Sequence, residues 1–370
     1  MPGILAEWYG CRRAATRGTL GIVRLLVACG LAAPLAGCYV MQAASGQADV
    51  MARSRPLPEV LADPVTPPAT RTRIELASEA RVFAIRELAL PDSGSYATYA
   101  DLGRPYALWN VVATPEFSLQ PVRWCFPVAG CVTYRGYFSE SDAKAMAWKL
   151  AARGEDTAVE GVATYSTLGH FPDPLLSTML GWRDTRLVGT IFHELAHERL
   201  YVPGDSEFNE AFATVVEEAG IRLWLAARGG EREIAAYDTS KRREVEFVAL
   251  LREARKGLAK LYSSELPAAD MRIEKNREFG RLKFDYQALK AGWGGYPGYD
   301  TWFARPINNA RLASVATYHD CVPGLERELA AAGSLPAFYA RAEALAKLTR
   351  AERRAAVCGA PPQVWRGTLR

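Results

Sequence analysis

The sequence His193-Glu194-Leu195-Ala196-His197 decides how the rest of the chain is interpreted. On an α-helix, two histidines four residues apart lie one turn apart on the same face, so their imidazoles can bind one metal ion. Glu194 then lies beside the pair and can reach a water molecule on that ion. The pattern predicts a metal centre that activates water, and two histidines on an ordinary amphipathic helix are the simpler alternative.

The flanking residues support a helix at this position. Apolar side chains recur at helical spacing at Leu187, Ile191 and Leu195, and Val202-Pro203-Gly204 ends the run. Asp184 is a candidate cap at the start. These residues predict a helix that buries its apolar face and holds the two histidines in place.

A second helix is predicted directly after this turn, with Ser206 as its candidate cap. It contains Asn209-Glu210-Ala211, whose glutamate is placed to provide a third ligand, and its alanines allow a close approach to the first helix. A catalytic zinc ion takes three protein ligands and keeps one position for water. Asp205 and Glu217 are the alternative third ligands.

The His-Glu-x-x-His motif followed by Asn209-Glu210-Ala211 resembles the gluzincin group of metallopeptidases. The resemblance implies that Glu210 is the third ligand and that Glu194 is the general base. Metzincins are less similar, because their extended motif needs glycine and histidine where this chain has Leu200 and Pro203.

In gluzincins a tyrosine or histidine on a C-terminal helix stabilises the oxyanion, and the resemblance implies such a donor here. Tyr318 is our choice, because it lies on a predicted helix that follows a loop rich in glycine and aromatic residues. His319 is the alternative. The resemblance thus implies one Zn²⁺ ion with the ligands His193, His197 and Glu210, and the catalytic residues Glu194 and Tyr318.

Residues 1–38 are predicted to be a targeting segment. Arg12, Arg13, Arg17 and Arg24 form a basic leader before an apolar core, residues 25–35, which is too short to span a bilayer as a helix. Leu35-Ala36-Gly37-Cys38 resembles the lipobox of bacterial lipoproteins, in which the cysteine is acylated and becomes the mature N-terminus. The resemblance implies a lipid anchor on Cys38, and Tyr39 in place of aspartate implies the outer rather than the inner membrane. An ordinary secretory signal with a chance cysteine is the alternative.

The composition indicates one secreted globular protein of 370 residues. The formal net charge is +4, but residues 1–37 contain four arginines and one acid, so the rest of the chain carries only +1. Such a chain lacks the excess of positive charge that nucleic-acid binding requires.

Residues 39–72 are rich in small residues and proline and predict a flexible tether, although Leu57-Pro58-Glu59-Val60-Leu61 can also begin a short helix.

Residues 73–370 are predicted to form one metallopeptidase domain. An α/β lobe over residues 73–183 precedes a helical lobe over residues 184–370 that holds the metal site. The predicted fold class is α+β, with a zincin-like metallopeptidase core, a small N-terminal β-sheet lobe and a mostly helical C-terminal half. By resemblance to zincins, residues 163–169 are the candidate edge strand for substrate, and a core strand is the alternative.

The cysteines after the leader indicate disulfide bonds. Cys125 and Cys131 bracket a short turn, and in an oxidising compartment such a close pair favours a disulfide over a metal site. Cys321 and Cys358 are a candidate second pair.

The pattern as a whole resembles the bacterial putative aminopeptidase family of metallopeptidases. The resemblance implies a zinc-dependent peptide hydrolase in the bacterial cell envelope, lipid-anchored on the periplasmic side, with a peptide or protein substrate. An aminopeptidase also needs a carboxylate for the substrate α-ammonium, and Glu160 and Glu207 are candidates. The Gly-x-Met-Glu-Asn signature of the best-known gluzincin aminopeptidases is missing. An envelope endopeptidase is therefore an alternative, as is a scaffold lipoprotein with a structural metal, although Glu194 argues against the scaffold.

Overall fold

The computed structural model describes residues 39–126, 130–167, 171–315 and 320–358. Within these ranges the chain has the predicted α+β class, with long helices and three small sheets. Two compact units divide the chain between Ala48 and Asp49. The described residues of the first unit, 39–48, are helical, and the strands in the described ranges belong to the second unit.

The proline-rich residues 49–72 are folded, which differs from the flexible tether that their composition predicts. Four elements lie wholly or partly in this stretch: α1 (residues 39–53), β1 (Ser54–Pro56), α2 (Leu57–Ala62) and α3 (Pro68–Arg86). Pro58 and Pro68 lie in the first turns of α2 and α3, where the N–H group that proline lacks needs no partner. Proline therefore begins these helices instead of keeping the chain extended.

Buried apolar residues join this stretch to the main core. Val50, Leu57 and Val60 are all at most 5% exposed. The Arg71 guanidinium donates hydrogen bonds to the carbonyl oxygen of Leu61 at 2.9 Å and to that of Asp63. Average composition does not reveal these contacts, because a few correctly spaced apolar residues are enough to anchor a polar segment.

Two three-stranded sheets form most of the β structure. In the first sheet, β1 is antiparallel to β2 (Thr98–Ala100), and β2 is parallel to β8 (Leu175–Leu176). In the second sheet, β3 (Leu108–Pro115) lies between β6 (Arg135–Tyr137) and β7 (Glu155–Val162) and is antiparallel to both. Helix α4 (Glu140–Ala151) packs against β3 and β7. The chain leaves the second sheet after Val162, so residues 163–167 do not form the predicted edge strand, and residues 168–169 lie outside the described part.

Two disulfides connect the four cysteines that the sequence pairs. Cys125 and Cys131 join the strands of a short hairpin, β4 (Trp124–Phe126) and β5 (Gly130–Val132), with their Cα atoms 3.9 Å apart. Cys321 and Cys358 are also bonded to each other.

Helices make up most of the described chain after residue 183, as predicted. They are α5 (Asp184–Arg199), α6 (Ser206–Ala226), α7 (Glu231–Tyr262), α8 (Ala268–Gly292), α9 (Asp300–Phe303), α10 (Asn309–Val315), α11 (Val322–Ala332), α12 (Leu335–Ala346) and α13 (Arg350–Val357). Helices α5 and α6 pack along each other, with α3 against α5 and α11 against α6. No described helix is long and apolar enough to cross a membrane.

Helices α7 and α8 form an antiparallel hairpin with its own apolar cluster. The hairpin is attached to the second sheet through the buried Lys275. Its ammonium donates to a carboxylate oxygen of Asp156 and to the carbonyl oxygen of Glu116, both at 2.7 Å. The aromatic loop after α8 packs on the hairpin, where Tyr299 stacks on Phe247 with ring centroids 3.9 Å apart.

Candidate metal centre

Helix α5 carries the His-Glu-x-x-His motif. Leu187, Ile191 and Leu195 are at most 1% exposed, so the predicted apolar face lies in the core. Because this face fixes the rotation of the helix, His193 and His197 lie side by side, with ring centroids 4.8 Å apart.

The caps of the two site helices differ by one residue from those predicted. Helix α5 begins at Asp184. Its N-cap residue is Arg183, whose side chain forms no capping hydrogen bond. The N-cap of α6 is Asp205 and not Ser206, and its carboxylate accepts a backbone N–H of the first turn. The second oxygen of Asp205 accepts from Arg353 Nε at 2.8 Å. Asp205, an alternative third ligand by sequence, is therefore a buried helix cap.

Asn209 fixes the connection between the two helices. Its side chain is 1% exposed and forms two hydrogen bonds with Val202, both of 2.8 Å. The Val202 N–H donates to Oδ1, and Nδ2 donates to the Val202 carbonyl oxygen. Since Glu210 follows Asn209 directly, this clamp sets the position of Glu210 relative to His197.

Small residues let α5 and α6 approach each other closely. A Cβ atom added at Gly189 would lie 2.9 Å from Glu217 Oε1, and one added at Gly220 would lie 2.7 Å from the Phe192 ring. Ala211 is fully buried. The helices are thus close enough for side chains of both to reach one ion.

Three side chains converge between the helices. His193 Nε2 lies 3.4 Å from Glu210 Oε2, and His197 Nε2 lies 3.7 Å from Glu210 Oε1. One donor atom of each residue lies within 4.8 Å of the others. Around a tetrahedral ion with ligand distances of about 2.1 Å, neighbouring donor atoms lie about 3.4 Å apart. The two contacts to Glu210 are close to this spacing, so the three side chains converge closely enough to hold one divalent cation.

Glu217, the other alternative ligand, lies behind His193. Its Oε2 is 3.1 Å from His193 Nδ1, the ring nitrogen that does not face Glu210. A carboxylate at the second nitrogen of a ligand histidine fixes the orientation and tautomer of the ring. Glu217 therefore supports His193 and does not itself belong to the donor cluster.

Charges within the cluster set the protonation of the two histidines. Burial disfavours the charged form of His193, but hydrogen bonds to Glu210 and Glu217 outweigh it and raise its pKa to about 10. Burial and the charge of His193 lower the pKa of His197 to about 4, partly opposed by Glu210. His197 is thus neutral, as a ligand must be, and His193 holds a proton that a metal ion must displace.

Glu194 is half-buried and directly follows His193 of the donor cluster. Burial is the main cause that raises its pKa to about 7, and the charges of Glu210 and Asp173 add to it. The charge of His193 and a hydrogen bond from Ser166 act in the opposite direction. A carboxylate whose pKa lies near neutrality can both accept and return a proton.

Asp173 and Ser166 are polar residues near Glu194 that the sequence did not identify as part of the site. Asp173 is 4% exposed, and its carboxylate accepts from the Thr167 N–H at 2.8 Å and from the Ser166 hydroxyl at 3.1 Å. Ser166 also contacts Glu194. Asp173 lies between two prolines, so its sequence context is that of a loop, and only the fold brings it to the site.

The carboxylates predicted to bind a substrate ammonium both have cationic partners. Glu160 pairs with Arg305 and with Arg311 Nε at 3.3 Å. Glu207 pairs with Arg354. Neither is a free acceptor for an ammonium group.

Several predicted residues lie outside the described part of the chain. They are Cys38, the proposed lipid anchor, and Tyr318 and His319, the candidate oxyanion donors. Helix α10, which precedes the two donors, is described as far as Val315.

The fold and the site together define the class of the protein. It is an α+β protein with a His-Glu-x-x-His helix and a cluster of three side chains that could hold a metal ion. The chain belongs to the putative aminopeptidase family, whose model matches residues 38–357. This confirms the family that the sequence resembles and indicates a peptidase. No curated protein and no solved structure shows a significant match to the chain.

Proposed function

We propose that the protein is a zinc-dependent peptide hydrolase, and that it acts as an aminopeptidase. One observation carries the proposal: two histidines and a glutamate converge as a donor cluster for one metal ion, and the half-buried Glu194 lies next to His193 in the chain. Two imidazoles and one carboxylate are a common ligand set for catalytic zinc. Membership of the putative aminopeptidase family supports peptide bonds as the substrate.

His193, His197 and Glu210 would hold the ion. When bound, zinc lowers the pKa of a coordinated water toward neutrality and polarises the scissile carbonyl. Glu194 accepts the proton of the attacking water and returns it to the leaving amine. Glu217 keeps the His193 ring in its ligand orientation through Nδ1. No covalent enzyme intermediate is needed.

A zinc endopeptidase is the second candidate, and one observation favours it. Glu160 and Glu207, the candidate acceptors for a substrate α-ammonium, already pair with arginines. An endopeptidase needs no such acceptor, because its substrate has an amide at that position.

We further propose that the protein is anchored on the periplasmic side of the bacterial outer membrane through a lipid on Cys38. The lipobox-like Leu35-Ala36-Gly37-Cys38, which follows the basic and apolar leader, supports this. Cys38→Ser should release the protein from the membrane fraction. A substituted protein that stays membrane-bound would contradict the anchor.

Metal analysis combined with peptide cleavage tests the function. We expect about one zinc per chain in the purified protein, loss of activity with a chelator, and recovery with zinc. Cleavage of free but not N-acetylated peptides indicates an aminopeptidase, and cleavage of both indicates an endopeptidase. A metal-loaded protein that cleaves neither set contradicts the enzyme and favours a scaffold.

A further inference from the structure

An aromatic residue lies beside the donor cluster, just after the end of α5. Tyr201 is the second residue after Arg199, the last residue of the helix. Its ring contacts the ring of His197 edge to face, with centroids 6.4 Å apart and planes at 77°. Aromatic rings attract each other at this distance and orientation. Tyr201 is therefore a direct neighbour of a candidate metal ligand.

The backbone on both sides of Tyr201 is fixed. The Leu200 N–H donates to the Ala196 carbonyl oxygen at 3.0 Å, which ends α5. The Val202 N–H and carbonyl oxygen both bond to the side chain of Asn209 at 2.8 Å. Because both neighbours are tied to the two site helices, Tyr201 has a defined position although it lies in a connection.

The ring of Tyr201 stays open to solvent. The residue is 42% exposed, whereas His197 is 5% exposed. The Glu210 side chain, 3.7 Å from His197 Nε2, is 36% exposed, so the donor cluster opens to solvent on this side. Burial raises the pKa of Tyr201 and the charge of Glu210 adds to the rise, which agrees with a phenol on the open side. A large aromatic side chain thus lies at the mouth of the cluster.

The chemistry of a bound peptide determines which group reaches this place. A scissile carbonyl at the metal belongs to one residue, and the Cβ of that residue is two bonds from the carbonyl carbon. Of all the side chains of the substrate, this one lies nearest the ligands. An apolar side chain that covers the exposed ring removes apolar surface of both groups from water, and an aromatic one adds a ring pair.

We propose that Tyr201 is a specificity-determining residue: its ring forms a wall of the substrate site and packs against the side chain of the residue that contributes the scissile carbonyl. The preferred substrates are then peptides with a large apolar or aromatic residue at that position. Tyr201 neither binds the metal nor transfers a proton. This inference rests on the proposed function, in which His197 is a ligand of the catalytic metal.

Peptides that differ only at this residue test the inference. In Tyr201→Ala, kcat/KM for a phenylalanine peptide should fall about tenfold, mainly through KM, while that for an alanine peptide stays within twofold. Zinc content should not change. Tyr201→Phe keeps the ring and should keep the preference. Tyr106→Ala is the matched control, because Tyr106 is 40% exposed and its ring contacts Trp109 edge to face at 6.1 Å. This control should keep the wild-type preference.

Hydroxamates of single amino acids provide a readout that does not need turnover, since the hydroxamate binds the metal and the side chain remains free to contact the wall. By calorimetry, Tyr201→Ala should weaken the binding of phenylalanine hydroxamate about tenfold and that of glycine hydroxamate less than twofold.

Equal effects on the two hydroxamates would overturn the inference. So would loss of zinc from Tyr201→Ala, or a Tyr201→Phe protein that loses the preference. A wild type that binds phenylalanine hydroxamate through Tyr201 but cleaves no peptide would support the inference and contradict the proposed function.

Discussion

Glu217 Oε2 lies 3.1 Å from His193 Nδ1, while Glu210 faces the other nitrogen of the same ring. The two glutamates lie two turns apart on α6, and sequence alone allows either to be the third ligand. The structure gives them different roles: Glu210 belongs to the donor cluster, and Glu217 fixes the ring of His193.

Variants of the two glutamates should separate these roles. Glu210→Ala removes a donor, so the purified protein should lose its metal. Glu217→Ala keeps all three donors but leaves His193 free to turn, so metal affinity should fall about 10- to 100-fold. Competition with a calibrated chelator measures both. A Glu217→Ala protein without metal beside a Glu210→Ala protein with full metal would reverse the assignment.

Glu194→Gln should separate metal binding from chemistry. Glutamine keeps the size of the side chain but cannot accept the proton of the attacking water. Metal content should therefore equal that of the wild type, while kcat falls about 10²- to 10⁴-fold. Unchanged turnover would exclude Glu194 as the base.

Gly189→Ala should disturb the metal site from a distance. The added Cβ would lie 2.9 Å from Glu217 Oε1 and 3.2 Å from its Cγ, so Glu217 must shift, and we expect its contact with His193 to be disturbed. We expect a lower metal affinity in the same competition assay. Gly280→Ala is the control, because this exposed position on α8 has no atom within 4 Å of the new Cβ. It should leave metal affinity unchanged and stabilise the protein by about 0.5–1 kcal/mol. Equal metal affinity in both variants would contradict the supporting role of Glu217.

Metal affinity should keep rising with pH above neutrality. In the metal-free protein the pKa of His193 is raised from 6.5 to about 10, so the protonated ring stabilises the fold below pH 6.5 and loses this effect as the pH rises toward 10. A metal ion must displace that proton, so its apparent affinity should rise steeply between pH 8 and 9. Glu217→Gln removes one cause of the raised pKa and should make the rise shallower. Equal slopes in the two proteins would contradict the role of Glu217 in this shift.

The buried pair of Asp205 and Arg353 should be important for stability. Arg353 Nε donates to Asp205 Oδ2 at 2.8 Å, and both side chains are at most 4% exposed. Arg353→Met removes the cation in direct contact with the buried Asp205 carboxylate and leaves only Arg350 Nε, at 3.9 Å, so the free energy of unfolding should fall by about 3–5 kcal/mol. Arg354→Ala removes a half-exposed partner of Glu207 and should cost less than about 1 kcal/mol. Urea unfolding measures both, and similar losses would show that burial does not decide the effect.

The sequence alone predicts the centre of the site. Helical spacing around His193 and His197 determines that the two imidazoles lie on one face, because a helix places residues four apart above each other. The segment with Asn209-Glu210-Ala211 predicts the second helix. The apolar run of α5 predicts which face of that helix lies in the core. Local periodicity also predicts the α+β class and the helical second half, both of which the structure shows.

Tertiary contacts decide the rest, because they join residues far apart in the chain. Composition predicts a tether over residues 39–72, but Leu57 and Val60 reach the core and residues 54–62 fold. The sequence favours Glu210 as the third ligand and keeps Glu217 as an alternative, and the packing of α5 on α6 determines which of them meets Nε2 and which meets Nδ1 of His193. Ser95 and Asp173 precede the motif in segments without a pattern, so their position beside α5 depends entirely on how the chain folds back on that helix.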